Sequence, residues 1–447
     1  MDMNPISPKI TFIGAGSATF TRMLIGDILS YPELRDATIS LHDIDSERLE
    51  TAAGVARLTA EEAGASPTIE ASAERRRALD GADYAINIIQ VGGHEATVID
   101  HEIPARYGLR QTIGDTLGIG GIFRALRTIP VMEGIAADMA AVAPDAWLLN
   151  YTNPMAMLCW ATYSGTPQKR VVGLCHSVQN TTREIAELID VPFEEVTFLG
   201  AGVNHQAFIL RFEREGENLY PLLDRLIESD PELTRRMRIQ IYQRFGYFPT
   251  ESSRHGVEYV PWFLHHDSEV ERMRVIESEY VTESEENLAE YESNRRALAE
   301  GTPLPIEQSI EYAPQIIHSI ETNTPRVVYG NVENTGLIEN LPQGACVEVP
   351  CLVDSSGLHP VHVGALPPQL AALNRTFLNV GELTVRAALD GRPDHVLQAA
   401  LLDPNTAATL RIDQIEDLVA DLTRAHGDSL PPALRATATG AVPEGVA

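Results

Sequence analysis

Apolar positions fall in short runs, and turn or helix signals separate them. The first run, KITFIGAGSATF, opens at Lys9. Ile10, Phe12 and Ile13 favour a buried strand, Gly14 and Gly16 allow a tight turn, and residues 19–29 can carry a helix. Similar runs follow at 37–43 (ATISLHD), 83–92 (DYAINIIQVG), 146–151 (AWLLNY) and 170–175 (RVVGLC). Helix is expected at 45–63, capped by Asp45 or Ser46, and at 122–142. Strand alternating with helix predicts a parallel sheet wound on both faces. After residue 192 the pattern changes. A hairpin or two adjacent strands are expected at 196–212, helices at 221–245 and 279–300, strands at 326–329 and 346–353, then mostly helix to about residue 425. The expected class is α/β, with a Rossmann-like doubly wound parallel sheet over 1–192 and an α+β substrate and metal domain over 193–428. The Pro/Ala/Gly-rich segment 429–447 is expected to be a poorly ordered tail.

Composition removes several functions. Net charge is −29, from 34 Lys and Arg against 63 Asp and Glu, so the clustered basic charge of nucleic-acid binding is missing. The lysines are Lys9 and Lys169, which argues against Schiff-base chemistry. Four cysteines in a long chain do not make a disulfide framework. Cys346 and Cys351 read as small buried residues, because no second Cys/His pair accompanies them. Nothing approaches the roughly 18 consecutive apolar residues of a membrane span. The start, MDMNPISPK, lacks a basic segment followed by an apolar one, so the cytoplasm is the expected location.

In such sheets ligands bind beyond the carboxyl ends of the strands, and the candidate residues gather there. Gly14, Gly16, Ser17, Ala18 and Phe20 form a strand–turn–helix that can seat a pyrophosphate on backbone N–H groups. Thr19 stands where the usual fingerprint has its third glycine. Asp43, ending the second strand, can accept from ribose hydroxyls and favours NAD over NADP. Gly92 ends the third strand. Cys175 and His205 offer a thiolate and an imidazole, a donor pair suited to a borderline divalent ion. Two protein ligands leave positions open for substrate, as a Lewis-acid role requires. Asn150 and Asn153 can hydrogen-bond a polyol or carboxylate. Asp115 precedes Gly118, Gly120 and Gly121 at a helix start and can hold a sugar hydroxyl. The segment 242–263 mixes aromatics with Glu251, Ser252 and His255, as a carbohydrate site would.

Together, GAGSATF, LHDID, NIIQVGG, GDTLGIGGIFRALRTIP, LLNYTNPMAM, GLCHSVQ and GVNHQAF resemble glycoside hydrolase family 4, over residues 9–364. The resemblance implies a lactate/malate dehydrogenase-like fold and NAD and manganese (Mn2+) as cofactors. It also implies a glycosidase that oxidises sugar carbon 3, loses the proton on carbon 2, eliminates the glycosidic oxygen, adds water and returns the hydride. It assigns the metal to Cys175 and His205 and the substrate to Asn153, with Asn150 nearby. His176 is its acid, and Tyr242 its base by position, with Tyr247 as rival. CHSV and FPTESS point to non-phosphorylated α-galactosides. α-Glucosides come next, then α-galacturonides or other anionic sugars; a 2-hydroxy-acid dehydrogenase is the distant alternative. The expected partner is a small carbohydrate, with no nucleic acid and no membrane, in a homodimer or homotetramer.

Overall fold

The computed structural model describes residues 7–302, 304 and 308–435. Its strands are β1 (Lys9–Ile13), β2 (Thr38–His42), β3 (Thr68–Ala71), β4 (Tyr84–Asn87), β5 (Trp147–Asn150), β6 (Val171–Gly173), β7 (Thr197–Ala201), β8 (Phe208–Arg214), β9 (Glu217–Asn218), β10 (Phe248–Pro249), β11 (Arg326–Glu333), β12 (Cys346–Asp354) and β13 (Gly357–Pro360). Nine form one sheet in the order β13-β12-β11-β6-β5-β4-β1-β2-β3. From β3 to β6 the strands are parallel, and β11 to β13 add antiparallel pairs. β1 lies between β2 and β4, and its Ile10, Phe12 and Ile13 are buried. The chain reverses its winding direction between β1 and β4, which opens a ligand crevice at their carboxyl ends. A smaller antiparallel sheet, β10-β8-β7 with β9 on β8, stands beside it.

The expected α/β class holds, and several element bounds move for physical reasons. β3 is an edge strand with largely exposed side chains, so it carries no apolar run. The third expected strand shortens to β4, because Ile88 onward turns over the glycine loop and Gly92 takes φ +83°. The helix expected at 221–245 is two, Tyr220–Ser229 and Met237–Phe245. Between them Pro231 starts a tight 3-10 segment that the Asp230 side chain caps at the Glu232 N–H. The long helix begins at Gly118 rather than 122.

One apolar core runs across residue 192. β11 pairs with β6, and the helix Pro368–Asp390 packs on the helices Gly118–Val142 and Met155–Gly165. At the far end, residues 429–435 were expected to begin a loose tail. Instead Leu430 and Leu434 are buried in the core, so order continues to Arg435. The rest of that expected tail, 436–447, lies outside the described residues. Among the described residues no helix is long and apolar enough to cross a membrane.

Candidate active site

The glycine turn is built tightly enough to specify its residues. Gly14 has φ +86°, and a Cβ there would sit 3.0 Å from the Ile88 and Ile89 backbone. A Cβ on Gly16 would come within 2.6 Å of Asp43 Oδ2. That oxygen instead accepts the Gly16 N–H at 2.7 Å, and Asp43 Oδ1 accepts the Asp45 N–H at 2.9 Å. Asp43 thus ties β2 to the turn after β1. Ser17 precedes the helix Ala18–Ser30 without a side-chain cap, so its first N–H groups stay available to an anion. Phe20 lies edge-on to Tyr151 at 5.1 Å, and Gly92 starts the helix Gly93–Arg106.

Cys175 and His205 meet as expected. Cys175 Sγ is 3.4 Å from His205 Nε2, and Glu251 Oε2 is 3.3 Å from the same nitrogen. The ligand atoms of Cys175, His205 and Glu251 all lie within 4.8 Å of one another. His205 and Glu251 both hold left-handed backbones, with φ +65° and +68°, a strained conformation for such residues that neighbouring structure must enforce. Thr116 Oγ1 (3.0 Å) and Tyr259 OH (3.3 Å) contact His205 Nδ1 and orient the ring. Burial pushes the Cys175 thiol up to about 12, with Glu251 and Glu348 adding to the rise. Burial also raises Glu251, yet the imidazoles of His205 and His255 outweigh it and bring the carboxyl to about 2. A buried carboxylate facing a buried thiol and an imidazole is a donor set that fits a borderline divalent cation, whose charge would stabilise the thiolate.

A chain of polar contacts leads from this group across the crevice. His255 Nε2 faces Glu251 Oε1 at 3.9 Å, and His255 Nδ1 faces Asp115 Oδ1 at 3.8 Å. Asp115 accepts from Asn153 Nδ2 at 2.8 Å and from Thr116 Oγ1 at 2.7 Å. Arg124 donates to the Asn153 carbonyl at 3.1 Å and to Tyr280 OH at 3.2 Å. His176 is half-exposed at the mouth, and Glu311 Oε1 holds its Nδ1 at 2.9 Å. That bond pushes the imidazole up to about 9 against the effect of burial.

Three candidates sit elsewhere. Asn150 is fully buried, with Oδ1 accepting from Asn87 at 2.8 Å and Nδ2 donating to the Thr152 carbonyl at 2.9 Å. It braces the floor and has no free face for a sugar. Tyr242 stacks on Tyr220 at 5.1 Å and donates to Asp224 at 2.6 Å. With Tyr247 it lines a cavity of about 520 Å³ between β8 and the helices after it, whose lining shares no residue with the Cys175–His205 group. Tyr259, on His205, and Tyr280, on Arg124, do reach the site. Glu251, His255 and Tyr259 follow one another at helical i, i+4, i+8 spacing, a signal that separates them from the surrounding aromatics. Tyr280 carries no such signal.

The fold and the site define a dinucleotide-crevice protein with a thiol–imidazole–carboxylate centre at the crevice mouth. Sequence comparison makes the family specific. The family described as "Family 4 glycosyl hydrolase" matches residues 9–191, and its C-terminal domain matches 200–406. The chain belongs to glycosyl hydrolase family 4. It is 43% identical over 428 residues to an alpha-galactosidase of Bacillus subtilis (strain 168), covering 95% of this chain and 99% of that one. An alpha-galactosidase of Rhizobium meliloti (strain 1021) is 35% identical over 95% of this chain and 89% of its own. Among solved structures, a 6-phospho-beta glucosidase from Thermotoga maritima, determined with manganese, NAD+ and glucose-6-phosphate, superposes with TM-score 0.77. It is 22% identical, covering 94% of this chain and 99% of that one.

Proposed function

We propose that this enzyme hydrolyses non-phosphorylated α-galactosides with bound NAD and a divalent ion, manganese by preference. The observation that carries the reading is the Cys175–His205–Glu251 group, in which Cys175 follows β6 of the sheet whose β1 leads into the glycine turn, while His205 and Glu251 follow β7 and β10 of the smaller sheet. The full-length likeness to two alpha-galactosidases supports the substrate class. When bound, the dinucleotide would accept and return a hydride at sugar carbon 3, and the ion would polarise the oxygen on that carbon. Cys175, His205 and Glu251 would hold the ion.

The chain's own groups account for the rest. Asn153 and Asp115 orient the sugar hydroxyls. Tyr280 takes the proton from carbon 2, with the Arg124 guanidinium beside its oxygen. His176, steadied by Glu311, protonates the departing glycosidic oxygen, and the same pair serves water addition in reverse. Arg124 is buried and donates through Nε to the Asn153 carbonyl and through Nη1 to Tyr280. Exposed Val327, Leu352 and Val361 on and beside the outer strands β11 to β13 suit contact between copies in a homodimer or homotetramer. Four unpaired cysteines suit the reducing cytoplasm.

The test is hydrolysis of p-nitrophenyl α-galactoside with and without NAD and Mn2+, run in D2O. Cofactor-dependent turnover with deuterium at carbon 2 of the released galactose is expected. Hydrolysis without exchange at that carbon would refute the elimination route.

A further inference from the structure

The helix Glu279–Glu300 is long and mostly exposed; its buried residues are Ser284, Tyr291 and Asn294. An apolar stripe is therefore not what holds it down. Each buried residue instead makes a polar contact to a different element at the crevice mouth. Ser284 Oγ meets His94 Nδ1 at 2.6 Å, one residue into the helix Gly93–Arg106. Tyr291 OH meets Thr51 Oγ1 at 3.3 Å, and its ring lies under the Arg48 guanidinium at 4.4 Å. Arg48 in turn donates to the Gly16 carbonyl at 3.3 Å. Asn294 Nδ2 donates to Thr19 Oγ1 at 2.8 Å. His94, Thr19, Arg48 and Thr51 all lie in the early turns of helices that follow β4, β1 and β2. Those turns rim the groove where a dinucleotide lies in this fold. The same helix starts at the catalytic end, where the Tyr280 N–H donates to the Thr112 carbonyl at 3.2 Å and its hydroxyl meets Arg124.

We propose that this helix is a strap across the dinucleotide groove, and that Tyr291 and Asn294 are cofactor-positioning residues which couple retention of NAD to the placement of Tyr280. The proposal rests on the NAD reading above. Thr19, in the place of the fingerprint's third glycine, is the anchor that a glycine could not supply. The cofactor can then leave only when the polar contacts at Tyr291 and Asn294 open.

The full-length enzyme is loaded with NADH, and its release into excess NAD is followed by the change in nicotinamide fluorescence. Tyr291→Phe and Asn294→Ala each remove one buried polar contact and are expected to speed release about tenfold, with thermal midpoints close to the parent's. Should either variant fold poorly, a second measurement uses Glu47→Cys with Arg295→Cys, a pair whose native side chains meet at 2.7 Å on the exposed rim. All four native cysteines are buried, so a short cleavable bis-maleimide targets the new thiols. Cross-linking after loading is expected to slow release at least tenfold, and cleaving the linker to restore it. Release unchanged within twofold by cross-linking and in every folded variant would overturn the strap while leaving the cofactor reading intact. Failure of the parent enzyme to bind NADH at all would overturn both.

Discussion

Replacing Asp43 by Asn changes one atom and should cost far more than its size suggests. Both carboxylate oxygens accept backbone N–H groups, Gly16 at 2.7 Å and Asp45 at 2.9 Å. An amide has a single oxygen, so whichever way Asn turns, its NH2 faces one of these donors. The variant loses a charge-assisted hydrogen bond, roughly 1.5–3 kcal/mol. It also loses the negative charge that would strengthen the bonds to the ribose hydroxyls, about 1 kcal/mol more. The turn has little room to shift, because even a Cβ on Gly14 would sit 3.0 Å from the Ile88 and Ile89 backbone. Summed, NAD affinity should fall by about 2.5–4 kcal/mol, roughly 70- to 1,000-fold. Titration of the apoenzyme with NADH, followed by fluorescence or calorimetry, measures this directly, and circular dichroism checks that the variant is folded. Discrimination against NADP should relax, since the carboxylate that repels a 2′-phosphate is gone. An Asp43→Asn protein that binds NADH within threefold of the parent would show that these two backbone contacts do not set the site.

Three further outcomes are expected. Tyr280→Phe should lower kcat at least a hundredfold while Tyr242→Phe stays within about twofold and loses only the roughly 1 kcal/mol of its bond to Asp224; the opposite ranking would return the base to Tyr242. Cys175→Ser should bind Mn2+ at least tenfold more weakly by calorimetry or EPR, because a hydroxyl is a poor substitute for a thiolate, and equal affinity would remove Cys175 from the ligand set. Burial raises Asp403 from 3.8 to about 6 despite the bonds from Thr406, so the folded state binds the extra proton and stability falls as pH rises from about 4 to 6, by about 3 kcal/mol in all. Asp403→Asn lacks that titration, so the stability difference between variant and parent should shift toward the variant by this amount between pH 4 and 7; a difference independent of pH would show that Asp403 titrates normally when folded.

What could be read from residue types alone follows the range of the contacts. Gly14, Gly16 and Asp43 belong to one strand–helix–strand unit, and local chain geometry brings them together, so spacing was enough. Cys175 and His205 are 30 residues apart, Cys175 just after β6 and His205 in the loop between β7 and β8, and both strand ends were visible in the pattern of apolar runs. Asn150 shows the limit of that reasoning: it ends β5 as expected, yet the strand end is also core, and Asn87 takes the oxygen a sugar would need. The aromatic stretch 242–263 has two jobs. Tyr242 and Phe248 pack the wall of the smaller sheet, and the aromatic density there marks packing. Glu251, His255 and Tyr259 lie before, within and after the short helix Ser253–Gly256, and all three reach the His205 ring. Tyr280 is 156 residues from Arg124. It reaches the site because two backbone bonds, Ser278 to Gln111 and Tyr280 to Thr112, dock the start of its helix beside Asp115. No residue type records a backbone bond, so a side chain placed in this way leaves no trace in spacing or composition. The same holds for the strap as a whole: a helix whose buried residues make polar contacts rather than an apolar stripe looks, in sequence, like any solvated helix.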